Sequence, residues 1–574
     1  MAKKGAFSYS AVAGGKKQKE ELLALLGEEA RQLAAAFQRG DLTAVAARAE
    51  ELLRQHPAWG FGWKVLSGAR AILGDPEGAM AAGRKACQYL PQDPEVFNNQ
   101  GNILKDRWQL GDARAEYEKA VRLRPDFAIA WNNLGNVLKN QGRLREALQK
   151  YELALRHDPQ FMVAFGNLLL ALHYLPDTEP EQLLERHRQW AERFCRGLAP
   201  LPAPASVADP EKRLTIGYLS ADFGRHPVGI FMTEVLAHHD RERTRVVCYS
   251  DRQVEDDHTL RLKADADLWR VVDRPNRELA EQIRADGVDI LVDLAGHTLT
   301  HRLPVFALKP APVQVTWLGY PGTTGLAAID YRLTDAIADP PGAADDLASE
   351  QLFRLADGFL CYPPALAPQE PPPLPVLDKG AITFGSFNFL PKVTEAAVAC
   401  WGEILLKVPG SRLVLKSPPL ADAETCQRLL KLFKAAGVAK DRVSFLGATA
   451  SYGEHLRCYG DIDIALDTFP YNGTTTICEA LAMGVPVITL RGNAHVSRVG
   501  ASILSHAGLP ELVTEDQAAY VRCAVDLAAD RSRLAEMRVT VRQRLLQSPL
   551  CDGPRFASKM DMAFREMWRR HCTV

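Results

Sequence analysis

Along the first third of the chain, apolar positions recur with a helical spacing that is itself repeated. Pro57, Pro91, Pro125 and Pro159 stand 34 residues apart, and Trp63, Phe97, Trp131 and Phe165 keep the same step. So do Ala79, Ala113 and Ala147, and again Ala86, Ala120 and Ala154. One step before Ala79 the register holds Val45, so the first unit already drifts. Each unit predicts two helices that meet at the alanines, where small side chains let the axes approach, and a proline that stops the second helix. One such hairpin cannot bury its own apolar face, so neighbouring units must stack into a curved solenoid. Clear units span residues 58–159, with degenerate ends at 21–57 and 160–196, giving a repeat region of 21–196. Residues 1–20, with Lys3, Lys4, Lys16, Lys17 and Lys19, read as a mobile tail.

The pattern changes after the proline-rich stretch 200–210. Short apolar runs now alternate with helical stretches: 213–220, 245–250, 289–296, 312–319 and the run YRLTD at 331–335, then 382–388, 411–417, 442–447, 461–468 and 485–490. Apolar strands alternating with helices predict parallel sheets covered on both faces. A second proline-rich break at 363–380 separates two such halves, 211–362 and 381–550. Two Rossmann-like domains facing across a cleft follow, with ligand expected at the carboxyl ends of the strands. The last segment, 551–574, carries an apolar stripe and is expected to cross back onto the first half.

Composition narrows the partners. Lys+Arg 69 against Asp+Glu 70 leaves a net charge of −1, which argues against general affinity for nucleic acid or anionic membrane. No apolar run reaches the roughly 18 residues of a membrane span. The eleven cysteines are scattered without a C-x-x-C pair, as expected of reduced thiols in a cytoplasmic protein rather than a zinc or disulfide framework.

The segment 466–490, LDTFPYNGTTTICEALAMGVPVITL, carries the most chemistry. A strand ends at Asp467-Thr468, Asn472-Gly473 turn the chain, and Thr474, Thr475 and Thr476 open a helix. Free N–H groups and the positive dipole end suit a diphosphate, although threonines at a helix start also serve simply as caps. Glu479, one to two turns in, is placed to accept from ribose hydroxyls. In the repeats, Asn99, Asn133 and Asn167 recur 34 apart. They are either an amide ladder for an extended peptide or local bonds between repeats.

The 34-residue units resemble tetratricopeptide repeats. The segment 466–490, together with DFGRHPVGIFM (222–232), VQVTWLGYPGTTG (313–325), FGSFNFLPKVT (384–394) and GEHLRCYGDIDIALDT (453–468), resembles the O-GlcNAc transferase family of GT-B glycosyltransferases. The resemblance runs from 58 to 570. It implies an inverting, metal-independent transfer of GlcNAc from UDP-GlcNAc to Ser/Thr hydroxyls of a protein or peptide, with no cofactor. Within it, Lys392 and Asn388 would lie against the donor diphosphate and His455 near the uridine. Gly473, Thr475 and Thr476 would hold phosphates and Glu479 the ribose. His226 would face sugar and acceptor in an essential role, that of base being one option. Asp222, Gly319, Pro321 and, less directly, His297 and His301 would lie on the acceptor side. Asp461-Ile462-Asp463 has the look of a metal-binding D-x-D but stands at the start of a buried strand, and positive charge at Lys392 would replace a metal. Three positions depart from the animal members: Thr474 in place of a histidine, Phe389 of a glutamine and Tyr452 of a lysine. The long insert that those members carry between the halves is also missing.

Overall fold

A computed structural model describes residues 10–202, 209–298, 301–366 and 372–573. The expected tail falls partly outside these residues, at 1–9. Its remainder is helical, because the first helix runs Ser10–Gln38. Among the described residues, ten helices in five pairs follow one another to Cys195. The alanines of the 34-residue register are the most deeply buried positions of these pairs: Ala79, Ala113, Ala147, Ala120 and Ala154 are all 0% exposed. Gly101 belongs to the same device, since a Cβ there would come within 2.7 Å of the Tyr117 ring. Helix starts are set locally. Asp75 accepts from the Gly78 N–H and Asp93 from the Glu95 N–H, each with proline at the first helical position.

The chain divides into two compact units, up to Val137 and from Leu138 on. The division lies inside the helix Ala128–Asn140 rather than at the proline-rich stretch 200–210, of which 203–208 lie outside the described residues. The second unit therefore takes in the last repeat helices, Leu144–His157, Met162–Leu172 and Pro180–Cys195.

Within that unit lie two all-parallel sheets. The first holds β1 (Leu214–Ser220), β2 (Thr244–Ser250), β3 (Leu268–Val271), β4 (Ile290–Asp293), β5 (Val313–Thr316), β6 (Tyr331–Asp335) and β7 (Gln351–Leu355), ordered β3-β2-β1-β4-β5-β6-β7. The second holds β8 (Thr383–Ser386), β9 (Arg412–Lys416), β10 (Val443–Leu446), β11 (Ile464–Leu466), β12 (Val487–Leu490) and β13 (Val513–Thr514), ordered β10-β9-β8-β11-β12-β13. Both are doubly wound. Strand order reverses between β1 and β4 and between β8 and β11, the points at which this topology places a ligand crevice.

Between the halves, Asp463 accepts from the N–H groups of Val376 and Thr383, both at 2.8 Å. It thereby ties the short helix Pro375–Lys379 to the amino end of β8 and β11. The buried Arg538 donates to the carbonyls of Pro372, Pro373 and Ile462. The final helix, Gly553–Thr573, leaves the second half and buries Phe556, Met560, Phe564, Met567 and Trp568 against Leu214, Ile216 and Val235 of the first. At about 1.5–3 kcal/mol per buried side chain of this size, the contact is a firm anchor.

Candidate active site

The crevice of the second sheet is organised around Asp467, which follows β11 and is 1% exposed. Its Oδ1 accepts from Asn388 Nδ2 at 3.1 Å and from the Gly473 N–H at 2.7 Å, and its Oδ2 from Thr489 Oγ1 at 2.6 Å. Asn388, just past β8, turns its Oδ1 to the Thr476 hydroxyl at 2.8 Å. The two strand ends at the reversal point are thus stitched to the first turn of the helix Thr475–Ala482. Gly473 is required there: a Cβ would meet Thr476 Oγ1 at 2.4 Å and Asn388 Oδ1 at 2.9 Å. Thr474 stands at the helix cap without a side-chain capping bond. Of the three threonines, then, Thr476 is engaged in the frame, and the N–H groups of the first helical turn point out of its end.

Lys392 reaches across this frame from the turn Leu390–Lys392. Its Nζ donates to the Asn472 carbonyl at 2.8 Å and lies 4.1 Å from the centre of the Tyr471 ring. Burial lowers its pKa to about 8, against the pull of the Asp467 carboxylate. Burial likewise raises Asp467 to about 6, against the donors that surround it. At neutral pH one is a cation and the other an anion, and the ammonium sits beside a helix start. That is an arrangement for an anionic group such as a diphosphate.

A second cluster lies further along the same crevice. Lys416, the last residue of β9, donates from Nζ to His455 Nδ1 at 2.8 Å. That bond places the histidine proton on Nε2, which faces Glu479 Oε2 at 2.9 Å. The Tyr459 hydroxyl donates to the same carboxylate oxygen at 3.2 Å. Glu479, 4% exposed, is therefore held as an internal acceptor for His455 and Tyr459. Phe387 packs on Tyr459 at 4.5 Å between ring centres, completing an aromatic and polar box at the far end from Lys392.

On the first half, His226 caps the helix Pro227–His238 after β1. Its Nδ1 lies 3.4 Å from the Val228 N–H and 3.7 Å from Asp222 Oδ2. Desolvation by the surrounding loop lowers its pKa despite the nearby carboxylate, with 45% of the side chain still open to solvent. Gly319 and Pro321 line a cavity shared with Tyr471 and Thr474 of the second half. This brings the acceptor-side loop face to face with the helix start.

Other expected residues are placed elsewhere. His297 is 1% exposed and buried in a ring cluster with His187, Trp190 and Tyr320, its Nε2 on the Thr324 carbonyl at 2.7 Å. It is a packing residue rather than a surface for an acceptor, and His301 stacks edge-on against the same Trp190. In the repeats, the Asn133 amide donates to Asn98 and Asn102 at 3.0 and 3.2 Å, bonds between neighbouring units that occupy its donors. Asn99 is half-buried and Asn167 buried. Asp461 and Asp463 lie at the amino end of β11, the opposite end from Asp467, where Asp461 pairs with Lys379 at 3.0 Å. Two residues central to the crevice, Lys416 and Tyr471, were not singled out by sequence, and Asp467 was read only as a strand end. The available signal was their position at or just past a strand's carboxyl end.

The profile of glycosyl transferase family 41 matches residues 197–362 and 375–560, and tetratricopeptide profiles match 101–142 and 128–161. A probable UDP-N-acetylglucosamine–peptide N-acetylglucosaminyltransferase SPINDLY of Arabidopsis thaliana is 42% identical over 411 residues, covering 70% of this chain and 45% of that protein. The UDP-N-acetylglucosamine–peptide N-acetylglucosaminyltransferase of Caenorhabditis elegans is 28% identical, over 63% of this chain and 41% of that one. The chain thus spans somewhat under half the length of the curated relatives it matches. A mutant of the Thermobaculum terrenum O-GlcNAc transferase superposes with a TM-score of 0.83 at 37% identity, covering 92% of this chain and 99% of that one. Among the described residues no helix is long and apolar enough to cross a membrane. Two doubly wound sheets, a basic helix-start crevice in the second and a profile match over more than half the residues lead to one assignment: the chain belongs to glycosyl transferase family 41.

Proposed function

We propose that the chain transfers N-acetylglucosamine from UDP-GlcNAc to Ser/Thr hydroxyls of protein substrates, with inversion and without a bound metal. The observation that carries this reading is Lys392, fixed on the Asn472 carbonyl beside the start of the helix Thr475–Ala482. The activities for which its relatives are named support it.

The uridine would occupy the box of Phe387, His455 and Tyr459, with Glu479 holding the histidine in place. The diphosphate would lie over the helix start, and the sugar would point toward Gly319 and Pro321. The acceptor oxygen attacks the anomeric carbon as the bond to the β-phosphate oxygen breaks, and that oxygen keeps the electron pair. The Lys392 ammonium and the helix N–H groups stabilise the developing charge in a partly dry site. The acceptor proton leaves through His226 once Nδ1 gives up its long cap bond from the Val228 N–H and, protonated, turns to Asp222, which frees Nε2 as base. D-x-D chemistry is left out because those carboxylates lie at the wrong end of the strand. The free state of all eleven thiols fits a reducing, cytoplasmic setting.

A second reading keeps the chemistry and changes the donor. Thr474 lines the cavity that Gly319 also lines, and the Tyr452 ring stands 6.0 Å from that of His455 at the nucleoside end. Both are positions where this chain departs from the animal pattern. The test is nucleotide release from UDP-GlcNAc, UDP-glucose and guanosine-diphosphate sugars, with and without a protein mixture, for wild type and Lys392→Ala. Protein-dependent release of UDP from UDP-GlcNAc, lost in the variant, supports the first reading. Release only from another sugar nucleotide establishes the second, and release from none removes both.

A further inference from the structure

The last repeat helices reach the crevice through two adjacent side chains. His173 and Tyr174 end the helix Met162–Leu172, and both are 5% exposed. His173 Nε2 lies 3.0 Å from the Tyr320 hydroxyl, in the loop that carries Gly319 and Pro321. His187 Nε2 reaches the same hydroxyl at 2.8 Å, while its Nδ1 is bound to the Leu183 carbonyl at 2.6 Å. That second bond requires the proton on His187 Nδ1, so Tyr320 donates to His187 and accepts from His173. Tyr174 turns to the other half, where its ring stacks on Tyr471 with centres 5.0 Å apart and planes 24° apart. The next link is Lys392, which rests over the Tyr471 ring and on the carbonyl of the following residue. One dipeptide of the repeat region therefore touches the acceptor-side loop with its first residue and the ring under the site lysine with its second.

We propose that Tyr174 is a positioning residue for Lys392. By stacking on Tyr471 it fixes the ring over which the ammonium lies, so that the last repeat helices help set the geometry of the diphosphate site. This rests on the reading of Lys392 as the group that meets the diphosphate. The ring of Tyr471 has no other stacking partner among the described residues. The backbone turn beside it has its own bonds: the Thr468 hydroxyl on the Tyr471 carbonyl, Asn472 Nδ2 on the Thr468 carbonyl, the Asn472 N–H on the Val496 carbonyl and the Gly500 N–H on Asn472 Oδ1. It is the ring, rather than the turn, that depends on Tyr174. Without Tyr174, the ring is free to leave the ammonium and water can enter beside it. The titratable groups facing Lys392 are Asp467, which favours the charged form, and Tyr471. Tyr174 stands behind them, and burial keeps both tyrosines neutral over the working range. Lost packing at Tyr174 therefore registers on Lys392 as restored hydration, which favours its cation.

The test uses the full chain in two measurements. In the first, trace acetic anhydride labels lysines across a pH series, with Lys392 read by mass spectrometry and no nucleotide present. Tyr174→Leu is expected to move the titration of Lys392 up by about one unit or more toward the ordinary lysine value, while Tyr174→Phe, which keeps the ring, titrates like wild type. In the second, UDP and uridine affinities are compared. Tyr174→Leu is expected to reduce the preference for UDP over uridine by about tenfold, and Tyr174→Phe to preserve it. Should Lys212 and Lys309, both ion-paired elsewhere, become reactive together with Lys392, the fold has loosened, and the milder Tyr174→Met takes the place of the leucine variant. Unchanged titration and unchanged UDP preference in the ring-less variants overturn the proposal. Absence of UDP binding in wild type overturns the uridine-nucleotide reading instead, while the labelling still decides the role of Tyr174.

Discussion

The two sheets end at their reversal points in nearly the same way, and only the second sets a lysine beside its aspartate. As the last residue of β4, Asp293 is 1% exposed and accepts from the Thr316 hydroxyl of the next strand at 2.7 Å and from the Gly296 N–H at 2.9 Å. After β11, Asp467 does the same with Thr489 and Gly473. Burial raises both carboxyls to about 6. What differs is the space beyond. In the first half the chain folds back into it: a Cβ on Gly296 would meet the Tyr320 Cβ at 2.1 Å, and one on Gly319 the Leu294 carbonyl at 1.8 Å. In the second half the space receives Asn388, Lys392 and a helix start. A buried aspartate at a strand end is thus a staple for the following loop. It becomes part of a binding site only when a cation and outward-facing N–H groups are set beside it.

The largest contrast is expected at Lys392, which has no counterpart beside Asp293. Lys392→Ala should lower nucleotide release by about 100- to 1000-fold, the usual loss when one preorganised donor to a leaving group is removed. Its melting temperature should hold within a few degrees. A matching loss of fold would make Lys392 a structural residue like its neighbours. The same lysine sets a pH limit, since its charged form is required and its pKa is lowered to about 8. The kcat/KM profile should fall above that pH, and in Lys392→Arg, whose guanidinium stays charged, the fall should vanish whatever the residual rate.

The glycines come next. Gly319→Ala drives a Cβ into a carbonyl, so it should destabilise the protein by several kcal/mol, in the upper range for single substitutions. Gly473→Ala meets a rotatable hydroxyl first, so its melting temperature should fall less while UDP affinity falls more. Equal effects on stability would remove the distinction between a packed reversal point and an open one.

The aspartates give a smaller, pH-dependent signal. For Asp293 the folded carboxyl sits at about 6 against 3.8, so the folded state holds its proton longer. The stability this contributes is fully present below pH 3.8 and lost as pH rises through 6. Denaturant unfolding of wild type and Asp293→Asn should therefore converge or cross by about 3 kcal/mol between pH 4 and 7, two units at about 1.4 each. Asp467→Asn should show the same trend and lose UDP binding as well. The smallest effect belongs to Asp461→Ala, an exposed pair with Lys379, at about 0.5 kcal/mol or less. A large activity loss there would restore the D-x-D reading.

Much of the fold is written in the chain. Central strands such as β1, β4 and β8 are apolar on both faces, so their runs stand out against the helices. The strands missed are at or near sheet edges: β3, half-exposed with an arginine; β7, QLFRL; and β13, two residues long. Edge strands mix polar and apolar residues because one side meets solvent, and their signal sinks into that of loops. For the site, the helix-start threonines, Lys392 and His455 could be named because motifs carry them in one stretch. Tyr174 and Lys416 could not, since each acquires its meaning from a partner far along the chain. His297 misled for the same reason: it follows a strand end, but Trp190 and His187 of the repeat region close over it.

The helix Gly553–Thr573 also has a mechanical meaning. The chain passes between the two halves twice, once after Tyr362 and once at the turn before Gly553, and the second passage ends in a helix buried in the first core. Drawing the halves apart would take Phe564 and Trp568 into water. It would also break the bonds that Ser502 donates to Asp335 and Arg498 to the Ile337 carbonyl. The last helix therefore works as a strap: the chain that begins in one half finishes inside the other, and the Gly319 loop stays facing Thr474.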